Sequence, residues 1–375
     1  MQLFDIPSAF VIAFLVSTTL MLVLPPVARA TGWIDRPGGR KTHEGEVPVI
    51  GGIAMFSGLL VSVAFSTVLG RVGYAIVASA ALMVLVGAID DRFNLSPYAR
   101  LVAHLTAAVS VVLGTGYVVA DLGDLFGFGL LSLGPFDSLF TVVACIALIN
   151  AFNMLDGLDG LAGGVGLLAF LGLGILALGA GAATSSLVSS SLCGAIAGFL
   201  IFNVPASFNK SLRVFMGDSG STLLGFTLSC VCLTMVQHQP RQIEPVLTLW
   251  LLPLPVLELF SSTFRRLAKG QSPMKADSSH FHHRLQQAGF SVRQIFLLYF
   301  GATTLSVITG VAAYWANVSE PVLFYGFLCY AALWLTFVRH SAPIAAWING
   351  RQSLPAMATL PFERVPEPAV TPVEP

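Results

Sequence analysis

The fold is decided by residues 136–180, which read FDSLFTVVACIALINAFNMLDGLDGLAGGVGLLAFLGLGILALGA. Two apolar runs, 136–153 and 160–180, flank a short polar segment, and each run is long enough to cross the hydrocarbon core of a bilayer. Because lipid offers no partners to backbone N–H and C=O groups, such a run must be a helix that pairs these groups internally. The stretch therefore predicts two consecutive membrane-spanning helices joined by a polar turn.

The rest of the chain repeats this pattern. Of its 375 residues, 55% are hydrophobic and only 10% are charged, and the mean hydropathy is +0.81. A water-soluble protein of this length would carry far more charge on its surface. The sequence therefore predicts an all-α polytopic membrane protein with about 10–11 transmembrane helices. The apolar runs occupy residues 8–28, 49–69, 72–89, 101–119, 136–153, 160–180, 184–203, 221–237, 245–263, 294–315 and 320–338.

Lysine and arginine are distributed unevenly between the two sets of loops. Two of them, Arg71 and Arg241, fall on one side of the predicted spans, and seventeen fall on the other. Because basic residues are retained on the cytoplasmic side, the richer set is predicted to be cytoplasmic, with the N-terminus outside and the C-terminus cytoplasmic. The seventeen are Arg29, Arg36, Arg40, Lys41, Arg92, Arg100, Lys210, Arg213, Arg265, Arg266, Lys269, Lys275, Arg284, Arg293, Arg339, Arg351 and Arg364.

The polar motifs fall on the same side as the basic residues. We predict a transmembrane catalytic domain over residues 1–340, followed by a Pro-rich disordered tail at 341–375. Chemistry confined to one face favours an enzyme, because a transporter needs its site near the middle of the membrane. The predicted cytoplasmic loops are 29–48, 90–100, 150–164, 203–220 and 264–293.

The turn between the quoted runs carries an amide or a carboxylate at every third position: Asn150, Asn153, Asp156 and Asp159. Gly157 and Gly160 permit the bend that would bring all four together. Acids at the end of a membrane span mark a functional site by default. Their oxygens, like those of the asparagines, are hard ligands of the kind that Mg²⁺ takes. A capped helix junction is the alternative interpretation.

Two further acidic motifs lie on the same face. Asp90-Asp91 ends the third run. Because adjacent carboxylates repel each other, the pair needs a neighbouring cation, either Arg92 or a divalent metal. The alternative is a solvated helix end. Asp218, in the segment FMGDSGS, is either a helix N-cap or a metal-binding carboxylate in a turn that offers N–H groups to a diphosphate. Phe215, which opens this segment, is either core or a surface on which a base stacks.

Histidines and basic residues form the fourth motif. The longest basic loop contains His280-Phe-His-His-Arg284. The motif lacks cysteine, so it is better suited to binding an anion than to binding zinc. Alternatively, the basic residues of the loop serve only to keep it on the cytoplasmic side of the membrane. An earlier Gly-rich loop, with Lys41 and His43, is either a phosphate-contacting loop or a plain membrane-surface turn. Glu258 is an intramembrane acid that is predicted to face the helix bundle.

Together and in this order, the motifs resemble those of the polyprenyl-phosphate N-acetylhexosamine-1-phosphate transferases. The resemblance runs from Asp35 to about Phe296. The form HFHH resembles the branch that uses UDP-N-acetylglucosamine (UDP-GlcNAc), whereas the branch that moves a muramoyl-pentapeptide typically carries three consecutive histidines. The shared motifs are RKTH at 40–43, the Asp pair at 90–91, NMLDGLDG at 153–160, FMGD at 215–218 and HFHH at 280–283.

The resemblance implies transfer of GlcNAc-1-phosphate from UDP-GlcNAc to undecaprenyl phosphate, with release of UMP and with Mg²⁺, or alternatively Mn²⁺, as cofactor. It places Asn153 and Asp218 on the metal, and Phe215 and Asp159 at the uracil. The implied catalytic residues are Asp90, Asp91, Asp156, Asp218 and His280, with the Asp pair near the lipid phosphate. The implied substrate-binding residues are Lys41, His43, Asp159, Asn203, Phe215, His282, His283 and Arg284.

The chemistry of such a transfer ranks the roles of these groups. A phosphate monoester is already mostly a dianion at pH 7, so a general base has little to deprotonate. The harder task is to bring this dianion to a diphosphate, which requires cationic charge. We therefore expect direct in-line attack, with Asp218 as a metal ligand and not as a covalent nucleophile.

Several interpretations stay open at this level. The donor could be another UDP-N-acetylhexosamine or the muramoyl-pentapeptide nucleotide, and a lipid or anion transporter or a non-catalytic assembly subunit are the alternatives to an enzyme. The enzyme interpretation predicts UDP-GlcNAc, undecaprenyl phosphate and the lipid bilayer as partners and no nucleic acid, and it allows a homodimer. It also predicts a protein of the bacterial cytoplasmic membrane whose active site faces the cytoplasm. The reaction would be the first membrane step in the synthesis of a cell-envelope polysaccharide.

Overall fold

The structure, a computed structural model, describes residues 5–36, 45–205, 212–237, 241–271 and 280–350. These residues are mostly helical, which confirms the all-α prediction. Two short strands, β1 (Ile34–Asp35) and β2 (Val47–Pro48), pair antiparallel. The helices are α1 (Asp5–Val23), α2 (Pro25–Thr31), α3 (Gly51–Ala64), α4 (Gly70–Phe93), α5 (Pro97–Thr115), α6 (Asp137–Leu155), α7 (Leu161–Gly179), α8 (Ala183–Asn203), α9 (Gly217–Gln237), α10 (Leu247–Leu251), α11 (Pro253–Ala268), α12 (Phe281–Gln287), α13 (Val292–Trp315), α14 (Glu320–Arg339) and α15 (Ser341–Ile348).

Helices lie at all of the predicted spans. In the described part of the chain, nine helices are long and apolar enough to cross a membrane, and α3 is a shorter apolar helix at the second predicted span. The ninth span is broken between Leu251 and Pro253, because a proline lacks the N–H that a continuous helix needs. The first span ends at Val23, ahead of the predicted boundary, since Pro25 begins a separate helix. The orientation of the two ends stays a prediction.

Helices α7, α8 and α9 form the centre of the bundle. Nearly all of α9 is buried, whereas α1, α5, α13 and α14 are buried along one side only. Close packing of α1 on α8 requires a glycine, because a Cβ at Gly194 would lie 2.1 Å from the carbonyl oxygen of Phe10. Across the same contact, Ser17 Oγ donates to the carbonyl oxygen of Ala195 (2.9 Å). The outer helices expose large apolar side chains such as Leu113, as a lipid-facing surface requires.

The segment after α14 differs from the prediction. The tail predicted to be disordered from residue 341 begins with a helix, α15, and residues 351–375 lie outside the described residues. Asn349, just after α15, donates from Nδ2 to the carbonyl oxygen of Gly289 (3.0 Å), and Gln294 Nε2 donates to Asn349 Oδ1 (3.1 Å). These contacts tie the helix to the region around α12, and a composition argument cannot foresee such contacts.

The motif-bearing ends of several helices meet at one end of the bundle. A backbone crossing fixes part of this arrangement: Phe215 N donates to the carbonyl oxygen of Pro48 (2.9 Å), and Gly51 N donates to the carbonyl oxygen of Phe215 (3.0 Å). The segment that leads into α3 is thereby held against the segment that leads into α9.

Candidate active site

Asp91, near the end of α4, holds the start of α9. Its Oδ1 accepts the backbone N–H of Asp218 (2.6 Å), and its Oδ2 accepts that of Ser219 (3.1 Å). Gly217 turns the chain into α9 with a φ of 71°, and a Cβ there would lie 2.5 Å from Asp91 Oδ2. The unpaired N–H groups at a helix start favour an anionic acceptor. Asp91 therefore caps α9 from another helix.

Asp218 lies in the first turn of α9 and faces the end of α6. Its Oδ1 accepts a hydrogen bond from Asn153 Nδ2, which also donates to Ser221 Oγ (3.3 Å). The alternative that Asp218 caps its own helix does not hold, because Asp91 supplies the cap and the Asp218 carboxylate contacts a different helix. The two residues that the resemblance assigns to a metal are thus in direct contact.

Arg100, from the first turn of α5, connects two of the motif carboxylates. Its Nη1 lies 3.3 Å from Asp90 Oδ2 and 3.9 Å from Asp218 Oδ2. The other Asp90 oxygen, Oδ1, accepts the backbone N–H of Leu95 (2.6 Å). Arg92, the side-chain cation considered from the sequence, instead lies over the ring of the next residue, 5.4 Å from its centroid. The cation beside Asp90 is therefore Arg100.

Asp156 follows α6 and lies close to the other carboxylates. Burial raises the pKa of its carboxyl well above the usual value, and the negative charges of Asp218, Asp91 and Asp159 raise it further. Its side chain makes no hydrogen bond or ion pair within the described residues. Asp156 is thus a motif carboxyl that favours its protonated form, in which it carries an O–H donor.

The carboxylates at this end of the bundle would accommodate an additional cation. No group of three or more His, Cys, Asp or Glu side chains in the described residues converges closely enough to hold an ion by itself. Mg²⁺, however, usually takes one or two protein carboxylates and completes its shell with water and substrate phosphates. The side-chain oxygens of Asp218 and Asn153 are ligands that fit this mode of binding.

Asp159, Arg213 and Phe215 form a second part of the site. The Asp159 carboxylate forms an ion pair with the Arg213 guanidinium. The guanidinium carbon of Arg213 lies 4.8 Å from the centroid of the Phe215 ring, the geometry of a cation–π contact. The two residues expected at the uracil are thus neighbours, and Arg213, which the motif analysis had not singled out, lies between them.

Asn203, at the end of α8, has a task within the fold. Its Oδ1 accepts the backbone N–H of Gly160 (2.8 Å), and its Nδ2 donates to the carbonyl oxygen of Val214 (2.8 Å). Only 6% of the residue is exposed. Asn203 therefore has a positioning role, because it links the turn after α6 to the strand-like segment before α9. Its contact with substrate stays a prediction.

His282, on α12, lies against the same turn. A Cβ at Gly157 would lie 2.4 Å from His282 Nε2, so only a glycine leaves room for this ring. Burial lowers the pKa of His282 to about 3, and the neighbouring His283 and His280 lower it further. His282 is therefore a neutral ring packed on the Asn150–Gly160 turn.

The other members of the histidine motif surround this ring. His283 is half-buried, and its Nδ1 lies 3.4 Å from Gln286 Oε1. Burial and the positive charge of Arg265 lower the pKa of the half-buried Arg284. His280 Nδ1 lies 2.9 Å from Glu258 Oε1, and the burial of Glu258 confirms that this acid faces the bundle. Lys41 and His43, the expected phosphate-contacting pair, lie outside the described residues.

Comparisons with known proteins match the chain to one family. Glycosyl transferase family 4 matches the chain over residues 74–236. A Haemophilus influenzae protein named undecaprenyl-phosphate alpha-N-acetylglucosaminyl 1-phosphate transferase is 34% identical over 339 residues, which cover 90% of this chain and 95% of the relative. Proteins of the same name from Escherichia coli K12 (34% identity; 93% and 95% covered) and Yersinia pestis (36%; 83% and 85%) also match. The chain belongs to this family.

Membership of glycosyl transferase family 4 makes the chain a membrane-embedded glycosyl-1-phosphate transferase. It sets aside the transporter and the non-catalytic subunit as alternatives. The matched range contains the acidic ends of α4 and α6 and the start of α9, whereas the histidine motif of α12 lies beyond it. The relatives extend over α12 as well, because their alignments cover most of the chain.

Proposed function

We propose that the chain transfers GlcNAc-1-phosphate from UDP-GlcNAc to undecaprenyl phosphate, forming undecaprenyl-diphospho-GlcNAc and UMP. The names of the relatives specify this sugar phosphate and this lipid. The observation that carries the proposal is the contact of Asn153 with Asp218, beside Asp90 and Arg100, at the start of α9. Such a group of oxygen donors and one guanidinium suits two phosphates and a hard cation.

In the proposed reaction, an oxygen of the lipid phosphate forms a bond to the sugar-bearing phosphorus of UDP-GlcNAc. The bond from that phosphorus to the bridging oxygen breaks, and UMP leaves with that oxygen. The second pKa of a phosphate monoester is about 6, so most of the acceptor needs no base at pH 7. Asp156, whose carboxyl favours the protonated form, would donate a hydrogen bond to a phosphate oxygen of the substrates. No covalent enzyme intermediate is required.

Charge neutralisation is the main catalytic task in this proposal. Arg100 would attract the acceptor dianion, since its guanidinium already lies beside the carboxylates of Asp90 and Asp218. Mg²⁺, or Mn²⁺ as the alternative, would be held by Asp218 and Asn153 and would stabilise negative charge that develops on the transferred group. Asp91 contributes by fixing the start of α9, which carries Asp218.

The nucleotide and the sugar are assigned to the other two parts of the site. Phe215 would stack on the uracil, and Asp159 would accept a hydrogen bond from it, with Arg213 close to both. The half-buried His283 and Arg284 would contact the sugar and the diphosphate, and His280 would act beside them. Lys41 and His43 keep their proposed phosphate contacts from the sequence motif alone.

The proposed location is the bacterial cytoplasmic membrane, with the site facing the cytoplasm. The spanning helices support a multi-pass membrane protein, and the seventeen basic residues on one side support this orientation. A homodimer and a role in cell-envelope polysaccharide synthesis are parts of the same proposal.

Release of UMP by the purified full-length protein tests the proposal. We expect UMP only when undecaprenyl phosphate, Mg²⁺ and UDP-GlcNAc are all present, and much less with the muramoyl-pentapeptide nucleotide as donor. Omission of the lipid is the control for simple hydrolysis of the donor. Release of UMP from the muramoyl-pentapeptide donor but not from UDP-GlcNAc would contradict the proposed sugar.

A further inference from the structure

Glu258 is a fully buried carboxylate in the middle of α11, and the proposed reaction gives it no task. Its exposed fraction is 0%. Burial of a charged group is costly unless hydrogen bonds compensate for the lost water. The hydrogen bonds that Glu258 accepts are therefore the best indication of its role.

Both of its oxygens face the start of the histidine motif. Oε1 lies 2.9 Å from His280 Nδ1 and 3.2 Å from the backbone nitrogen of Phe281, and Oε2 lies 3.1 Å from the same nitrogen. His280 has an extended backbone (φ −61°, ψ 155°) and supplies no side-chain cap to α12. Glu258 thus provides the capping acceptor from 23 residues earlier in the chain.

The contact with the ring also determines which nitrogen of His280 carries the proton. A carboxylate only accepts hydrogen bonds, so the Nδ1 that faces it must be the N–H, as in other histidines oriented by a carboxylate. Nε2 is then the acceptor in the neutral ring. This atom makes no hydrogen bond within the described residues, and about a tenth of the His280 side chain is exposed, so Nε2 has an unused acceptor position.

The same contact sets the position of the whole motif. The His280 and His282 rings are nearly parallel, with centroids 5.7 Å apart, and His282 lies against Gly157 in the turn after α6. The hydrogen bonds that Glu258 accepts at the start of α12 therefore control how the histidine motif packs against that turn.

We propose that Glu258 is a positioning residue that fixes His280 as the Nδ1–H tautomer and presents its Nε2 to the sugar diphosphate. The inference rests on the proposed function, because it assumes that His280 faces the donor. Glu258 itself touches neither substrate nor metal.

The variant Glu258→Gln tests this inference. Glutamine has a similar size, but it replaces one acceptor oxygen by an NH2 group. This NH2 group must face either the N–H of Phe281 or His280 Nδ1. In the second case the ring proton moves to Nε2. We expect kcat for UMP release to fall about 10- to 100-fold, the loss that removal of a hydrogen bond to a charged group produces. We expect KM for UDP-GlcNAc to change less. Ser262→Ala, a buried change one turn further along α11, is the matched control and should keep wild-type activity.

Nitrogen-15 NMR of histidine-labelled full-length protein provides a readout that does not depend on activity. The wild-type His280 signal, assigned by its loss in His280→Gln, should show a protonated Nδ1 and a bare Nε2, and Glu258→Gln should lose this fixed pattern. A wild-type ring protonated at Nε2 would overturn the inference even if Glu258→Gln fails to fold. A folded Glu258→Gln that loses the Nδ1–H pattern but keeps full kcat would overturn it too. Failure of the proposed function would appear separately, as wild-type protein that releases no UMP.

Discussion

A single guanidinium, that of Arg100, lies within reach of carboxylates on two different helices. Ten residues separate it from Asp90, but Asp218 is more than a hundred residues away, and only the fold brings Arg100 and Asp218 together. Arg100→Gln should lower kcat/KM for undecaprenyl phosphate by at least about 10-fold, because it removes positive charge where the two phosphates approach. Steady-state UMP release at varied lipid concentration measures this effect.

Arg100→Lys is the matched control for that change. It keeps the charge and loses the planar fork, so its loss should be smaller than that of Arg100→Gln. Equal losses in the two variants would mean that hydrogen-bond geometry, and not charge, is the contribution of Arg100.

His282 should make the stability of the protein depend on pH. Its pKa is about 3 in the fold, below the usual value of about 6.5, so between these values the unfolded chain binds a proton that the folded chain does not. Stability contributed by the neutral ring is therefore complete above pH 6.5 and is lost as the pH falls toward 3. From pH 7.5 to pH 5, the melting temperature of the wild type should fall more than that of His282→Gln. Parallel curves for the two proteins would show that this ring is protonated in the fold.

The start of α9 shows how two similar acids serve different purposes at the level of a secondary-structure element. Asp91 accepts two backbone N–H groups of α9, whereas Asp156 accepts none from the described residues and is costly to ionise. Asp91→Ala should therefore destabilise the protein by about 1–2 kcal/mol, as expected for loss of a helix cap. Asp156→Asn should leave the melting temperature unchanged or raise it, while it lowers the rate of UMP release. A larger loss of stability in Asp156→Asn than in Asp91→Ala would contradict these assignments.

The sequence predicted the positions of the spanning helices because long apolar runs have one stable solution in a membrane. It also paired Asn153 with Asp218, although only through the family motif. It could not predict that Asp91 caps α9, that Arg100 replaces Arg92, or that Glu258 anchors α12. Each of those contacts joins separate helices, and such contacts leave no periodic signal in the local sequence.

For the whole molecule, the distribution of basic residues predicts that the C-terminus is cytoplasmic. A green fluorescent protein fused after Pro375 should therefore fluoresce in the bacterial cytoplasmic membrane, since this reporter folds only on the cytoplasmic side. A periplasmic phosphatase fused at the same place should be inactive. The opposite pair of results would reverse the proposed orientation and place the active site outside the cell.

The central claim is that motifs from separate helices form one diphosphate site in which Asp218 and Asn153 hold a divalent cation. The most direct test is the Mg²⁺ dependence of UMP release by the wild type, Asp218→Asn and, as the matched carboxylate control, Asp90→Asn. We predict no release without Mg²⁺, and a much higher Mg²⁺ requirement in Asp218→Asn than in Asp90→Asn. Release by the wild type in the presence of a chelator, or the same Mg²⁺ requirement in all three proteins, would contradict the account.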